Sequence, residues 1–269
     1  MTVPRRGLLS GGLGGLLAGL FRPAKALADD TSSPQADAGD GPPMNAIDDP
    51  RYETFFNARL QMWSTIGTVD DDVIAYVISP EFLGAPAWPT TRQAFRTVRP
   101  AGSLIIASDG LSDLFADTDS QAPGFGCEVF IECPDLAGAA FEGIRGSWQF
   151  ELIETLARNV ANLGGIQRPI SQYGVFSMEL PAPATMPAHW STQRGTVGAL
   201  INVTVPDRPS FCQLDEGVEI RLVALTILLP DETEYVVSGG AETRFDIAQR
   251  LISSGTGLTS PANRRSVLA

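Results

Sequence analysis

The chain has 269 residues, 43% of them hydrophobic and 19% charged, a composition that excludes wholesale disorder, collagen and coiled coil. Nineteen basic against 31 acidic residues leave a formal charge of −12, so nucleic acid and anionic lipid are poor partners. Three cysteines and one histidine are too few for a disulfide scaffold or for chemistry built on several imidazoles.

Residues 1–28 read as an export signal of the twin-arginine type. Arg5 and Arg6 precede a glycine-rich apolar run ending at Phe21, and Ala26 and Ala28 supply the small residues that a signal peptidase reads. The run from Gly7 to Phe21 is shorter than the ~20 residues a membrane-spanning helix needs. The expected product is periplasmic or secreted and soluble after cleavage, with no stable membrane insertion. Cleavage removes four basic residues, including Lys25, the chain's one lysine, and no acid. Residues 29–47 are Pro, Gly, Ser and Asp with little to bury and read as a disordered lead-in. One folded domain is expected over 48–269.

Asp49 and Pro50 form a helix start, a capping carboxylate followed by proline at the first helical position. Tyr52, Phe55, Phe56, Leu60, Trp63 and Ile66 recur at helical spacing, and Gly67 ends the helix. The unbroken apolar run Val73–Ile78 predicts a buried strand, residues 79–100 a proline-rich loop, and Ser103–Ala107 a second short buried strand. In Gly126–Pro134, Cys127, Val129, Ile131 and Cys133 alternate with Glu128, Phe130 and Glu132. That pattern predicts a strand with one buried and one wet face. Ser147 caps a second helix whose stripe is Phe150, Ile153, Leu156, Val160 and Leu163, stopped by Gly164-Gly165. Short strands are expected at 173–180 and 197–205, and a long one at Val218–Leu229. A helix is expected over about 231–252, interrupted near Gly239-Gly240. The fold class is α+β, a mixed β-sheet with packed helices.

Catalytic chemistry finds little purchase. His189, the one histidine, lies in a proline-rich loop, and no Gly-x-Ser-x-Gly elbow exists. No phosphate-binding loop of the Gly-x-x-x-x-Gly-Lys type occurs. Cys127 and Cys133 lie six residues apart on one strand, roughly 20 Å at ~3.3 Å per residue. They share neither a zinc ion nor a disulfide, Cys212 pairs with either only if their strands adjoin, and buried free thiols are the default. Asp70-Asp71-Asp72 and Asp117-Thr118-Asp119 lack the spacing of a calcium loop. No catalytic residue, metal site or cofactor is called; a carboxylate-dependent exported hydrolase and a small-ligand binder are the alternative readings.

Four segments together resemble the suppressor of fused family in its bacterial form. Ser103–Phe115 is similar to the family's strand followed by a Gly-Met-Ser-Asp turn, with Leu111 in the place of Met. Cys127–Pro134 is similar to its Glu-Leu-Val-Ile-Glu-Leu-Pro strand. The helix Trp148–Ala157 and the strand-to-helix run Val218–Ala241 follow in matching order, and Ser260–Val267 fits the closing segment. The resemblance implies a non-enzymatic protein-binding domain with a mixed α+β fold. Animal relatives sequester a transcription factor, and many bacterial relatives look like immunity proteins that neutralise toxins. The implied partner is a protein, a basic toxin domain among the possibilities. Asp109, Ser112 and Asp113 sit in a turn after a buried strand, where they satisfy backbone N–H groups or rim a partner site. Glu232, Glu234 and Glu242 read as solvated helix charges or partner contacts.

Overall fold

Asp49 caps the first helix as its type dictates. In a computed structural model that describes residues 49–115 and 122–269, its side chain accepts the Arg51 N–H at 2.9 Å, and α1 runs Pro50–Ser64. The export signal with Arg5, Arg6, Ala26 and Ala28, the lead-in, and Asp117-Thr118-Asp119 lie outside the described residues.

The sheet is mixed and eight-stranded. Strands β1 (Thr68–Ala75), β2 (Ala94–Arg99), β3 (Leu104–Asp109) and β4 (Cys127–Cys133) form an antiparallel meander. The last strand in sequence, β8 (Val218–Leu228), inserts parallel to β4, with Cys127 opposite Arg221 and Phe130 opposite Ala224. Two antiparallel strands, β6 (Thr196–Ile201) and then β5 (Phe176–Pro181), extend the sheet beyond β8. The short β7 (Phe211–Asp215) pairs with the first residues of β8. The order β1-β2-β3-β4-β8-β6-β5 leaves β1 and β5 as edges. This is the α+β architecture expected.

Helices cover both faces. On one side, α3 (Trp148–Asn162) packs Leu152, Ile153, Leu156 and Val160 against Leu104, Ile106, Val129 and Ile131. On the other, Phe55 and Trp63 of α1, with Ile247 and Leu251 of α6 (Ala241–Ser253), pack against Val98, Ile105, Phe130 and Leu222. Two short helices, α2 (Phe141–Arg145) and α4 (Gln167–Tyr173), flank α3. The last helical stretch breaks at Gly240, whose φ of 70° is left-handed, separating α5 (Pro230–Gly239) from α6. No helix among the described residues is long and apolar enough to cross a membrane.

Four expectations are corrected. The face of β4 bearing Glu128, Phe130 and Glu132 is buried, not wet, because α1 and α6 form a second layer over it. Ala94–Arg99 is a strand inside the presumed loop; its alternation was masked by Arg96, a buried charge. The apolar run at 73–78 is not a buried strand. Only its first residues belong to β1, a sheet edge, and Tyr76, Val77 and Ile78 are exposed. Leu163 leaves the helical stripe at the C-cap and is exposed.

Close approach of α5 to β6 depends on Gly198, where an added Cβ would lie 2.9 Å from the Cβ of Thr233. Thr233 is β-branched and buried, so it cannot rotate away cheaply. Gly198→Ala is expected to cost ~1–3 kcal/mol of stability by overpacking, read from urea denaturation; an unchanged midpoint would show that α5 shifts freely on the sheet.

Candidate partner-binding surface

The turn after β3 is where the sequence places three candidate contacts, and the structure buries all three. Asp109 is 3% exposed, Ser112 0% and Asp113 1%. Their partner is Arg59, on the sheet side of α1, itself 1% exposed. Arg59 Nε donates to Asp109 Oδ1 at 3.0 Å, Nη1 to Ser112 Oγ at 3.1 Å and Nη2 to Asp113 Oδ1 at 2.7 Å. Arg92 and Arg96 each donate to the other oxygen of Asp109 at 2.7 Å. Thr90 donates to Asp113 at 3.1 Å.

Glu128, on the buried face of β4, closes the network. Its Oε1 accepts the Gly110 and Ser112 N–H groups at 3.1 and 3.0 Å and the Ser112 hydroxyl at 2.6 Å. Its Oε2 accepts the Ser108 hydroxyl at 2.5 Å. The backbone of the turn is therefore satisfied by Glu128, not by the Asp and Ser side chains of the turn itself. Burial raises the pKa of the Asp109 carboxyl, but Arg59, Arg92 and Arg96 outweigh it and hold the group well below the usual range. Burial lifts Asp113 above its usual value despite Arg59, helped by the neighbouring Glu128. Three arginines and three acids neutralise one another in a cluster almost closed to solvent, which pins α1 to the sheet. Arg59 carried a sequence signal: it stands four residues from both Phe55 and Trp63, on the apolar stripe.

Glu232 is likewise interior, 0% exposed. It accepts the Leu229 N–H at 2.9 Å at the start of α5 and holds Arg264 with two contacts of 2.6 Å. Of the six candidate contacts, Glu234 and Glu242 alone are on the surface, on α5 and α6. The assignment of Asp109, Ser112, Asp113 and Glu232 to a partner surface is corrected: each is enclosed by its intramolecular partners.

The surface feature that sequence reading missed is the segment after β1. Ten large apolar side chains stand exposed among the described residues, and five of them fall between residues 76 and 83. Val77 is fully exposed; Tyr76 and Ile78 flank it, and Phe82 and Leu83 project from the 3₁₀ turn Pro80–Leu83. A run of apolar residues was legible, but its exposure was not, because burial depends on what covers the sheet edge. In the first half of β1 the pairing with β2 slips between Val69 and Val73, a bulge that displays Asp71 and Asp72 to solvent. Asp70, between them and Val69, is held by Arg99 at 2.8 Å and by the Thr97 hydroxyl at 2.8 Å. An open groove of about 820 Å³ lies beside this edge, lined by Phe56, Leu60, Ile66, Val69 and Asp71 among others.

Elsewhere the reactive side chains have structural partners or none. His189 Nε2 lies 2.8 Å from the Ala262 carbonyl, in a 3₁₀ turn of the exposed surface. Cys127, Cys133 and Cys212 are free and buried, as the default reading expected; burial pushes the Cys212 thiol up to about 11. Among the described residues no group of three or more His, Cys, Asp or Glu is placed to hold a metal ion.

No protein-family model matches the chain, and no curated protein sequence matches it. Among solved structures it is similar to the Sufu–Fu complex crystal structure, with 14% identity and a TM-score of 0.49, covering 81% of this chain and 93% of that one. A likeness to the crystal structure of Drosophila Suppressor of Fused has 13% identity and a TM-score of 0.35, covering 74% of this chain and 42% of that one.

Proposed function

We propose that this chain is a non-enzymatic protein-binding module, exported to the bacterial envelope, that sequesters a protein partner in the manner of an immunity-type inhibitor. The observation that carries the reading is the exposed stretch from Tyr76 to Leu83. Clustered apolar side chains at a sheet edge cost solubility and invite aggregation unless a partner covers them. The suppressor of fused resemblance in the sequence points to the same class. The export signal places such an inhibitor where a toxin active in the periplasm arrives, and the acidity of the chain steers basic partners toward it.

The test is affinity copurification of the protein from the envelope fraction of its own host, with mass spectrometry, alongside a Val77→Ser/Phe82→Ser variant. Both side chains are exposed, so the substitutions leave the core untouched. One stoichiometric partner is expected with the parent protein, with recovery falling at least ~10-fold in the variant. The same proteins recovered equally with both would remove this surface from consideration, and the absence of any partner would overturn the binding role itself.

A further inference from the structure

We infer that the surface from Asp71 to Leu83 takes a polypeptide segment with apolar side chains flanked by Lys or Arg, an inference that rests on the binding role proposed above and adds the partner's chemistry and the place it docks. From Asp70 through Thr91 the chain carries four acidic residues, Asp70, Asp71, Asp72 and Glu81, and no basic one. Asp70 is neutralised by Arg99. Asp71 and Asp72 are exposed, and neither has an ion-pair partner among the described residues. The acidic bulge thus adjoins the apolar strip along the chain, one supplying charge and the other buried area.

A second copy of this chain fits poorly. Two β1 edges brought together about a two-fold axis through the bulge would set the carboxylates of each copy against those of the other, and like charges opposed across strands are destabilising. Anionic lipid and nucleic acid meet the same repulsion. A basic polypeptide reverses the sign of every one of these terms. Its cations meet Asp71 and Asp72 at a solvated rim, which speeds association. Its apolar side chains cover Val77, Ile78, Phe82 and Leu83, which sets the lifetime of the complex.

The test uses the full-length protein and fluorescent synthetic peptides of alternating Leu and Lys, with a Leu/Glu peptide as counterpart, measured by anisotropy over a range of salt. The Leu/Lys peptide is expected to bind, more weakly as salt rises, and the Leu/Glu peptide is not. Asp71→Asn/Asp72→Asn should lower the low-salt affinity ~3–10-fold and flatten the salt dependence. Val77→Ser/Phe82→Ser should lower it ~30-fold or more at every salt concentration. Glu216→Gln/Glu219→Gln, which removes the same charge from the β7–β8 hairpin, where both residues are exposed, should leave it unchanged. An equal loss in that control pair would mean diffuse acidity and no site. Equal binding of both peptides, binding of neither, capture by phosphatidylcholine vesicles, or a dimer dispersed by Val77→Ser/Phe82→Ser would each overturn the inference. A native partner lost with Val77→Ser/Phe82→Ser yet kept with Asp71→Asn/Asp72→Asn would refute the basic chemistry while leaving the binding role intact.

Discussion

Arg59→Met is expected to remove ~3–5 kcal/mol of folding stability, a large share of the ~5–15 kcal/mol typical of a domain. The loss has a definite source. Asp109 keeps Arg92 and Arg96, but Asp113 is left with the Thr90 hydroxyl and with two other acidic side chains nearby. A buried carboxylate stripped of its cation pays its full desolvation penalty. All four tryptophans are buried, at 8% exposure or less, so fluorescence during urea denaturation reports the loss directly.

The pH dependence separates charge from packing. Asp113 already titrates above its usual value, and losing Arg59 raises it further. A carboxyl whose folded pKa exceeds its unfolded one destabilises the fold above that window, and the penalty fades as pH falls through the folded value. The cost of Arg59→Met should therefore be smaller near pH ~5 than near pH ~7.5. A penalty that stays constant with pH would make Arg59 a packing residue only. In the parent protein Asp109 has the opposite sign: its lowered pKa contributes stability that is present above the unfolded value of about 3.8 and disappears as pH falls through the folded one. Arg59→Lys, which keeps the charge but not the three-way fork, should cost less than Met.

Arg264→Met is the second large effect, expected at ~3–5 kcal/mol. The Arg264 side chain is 3% exposed and lies with its guanidinium carbon 5.2 Å from the Trp190 ring centroid, donating to both oxygens of Glu232 and to the Ile227 carbonyl at 3.1 Å. Ser260 Oγ accepts the Ile227 N–H at 3.0 Å, and Glu232 accepts the Val267 N–H at 2.9 Å. The last residues therefore act as a strap that satisfies the backbone of β8 past the four residues where it pairs with β4. Without Arg264 the strap loses its anchor and Glu232 keeps a buried charge supported by two backbone donors. Limited proteolysis should then cut within residues 258–269 before the rest of the domain. Glu232→Gln should loosen the same segment, and the double variant should cost less than the two single losses added together. Additive losses and an uncut tail would mean the pair does not hold the strap.

Local sequence determined what local chemistry controls. The Asp49-Pro50 helix start, the Ser147 cap, the alternation in β4 and the glycine break between α5 and α6 were all legible, because each depends on neighbours within a few residues. The succession of helical and strand-like segments set the α+β class, and composition set the acidic balance. Tertiary structure alone decided exposure. Glu128 and Phe130 read as a wet face until α1 and α6 are laid over them, and Val73–Ile78 read as core until β1 proves to be the sheet edge. The same holds for the charged residues. Asp109, Asp113 and Glu232 look like solvated acids because their cations, Arg59, Arg92, Arg96 and Arg264, stand 13 to 54 positions away in sequence. A charge buried in a pair and a charge left in water have the same letter in the sequence; the pairing free energy that distinguishes them exists only once the sheet and its two helical layers bring the partners within 3 Å.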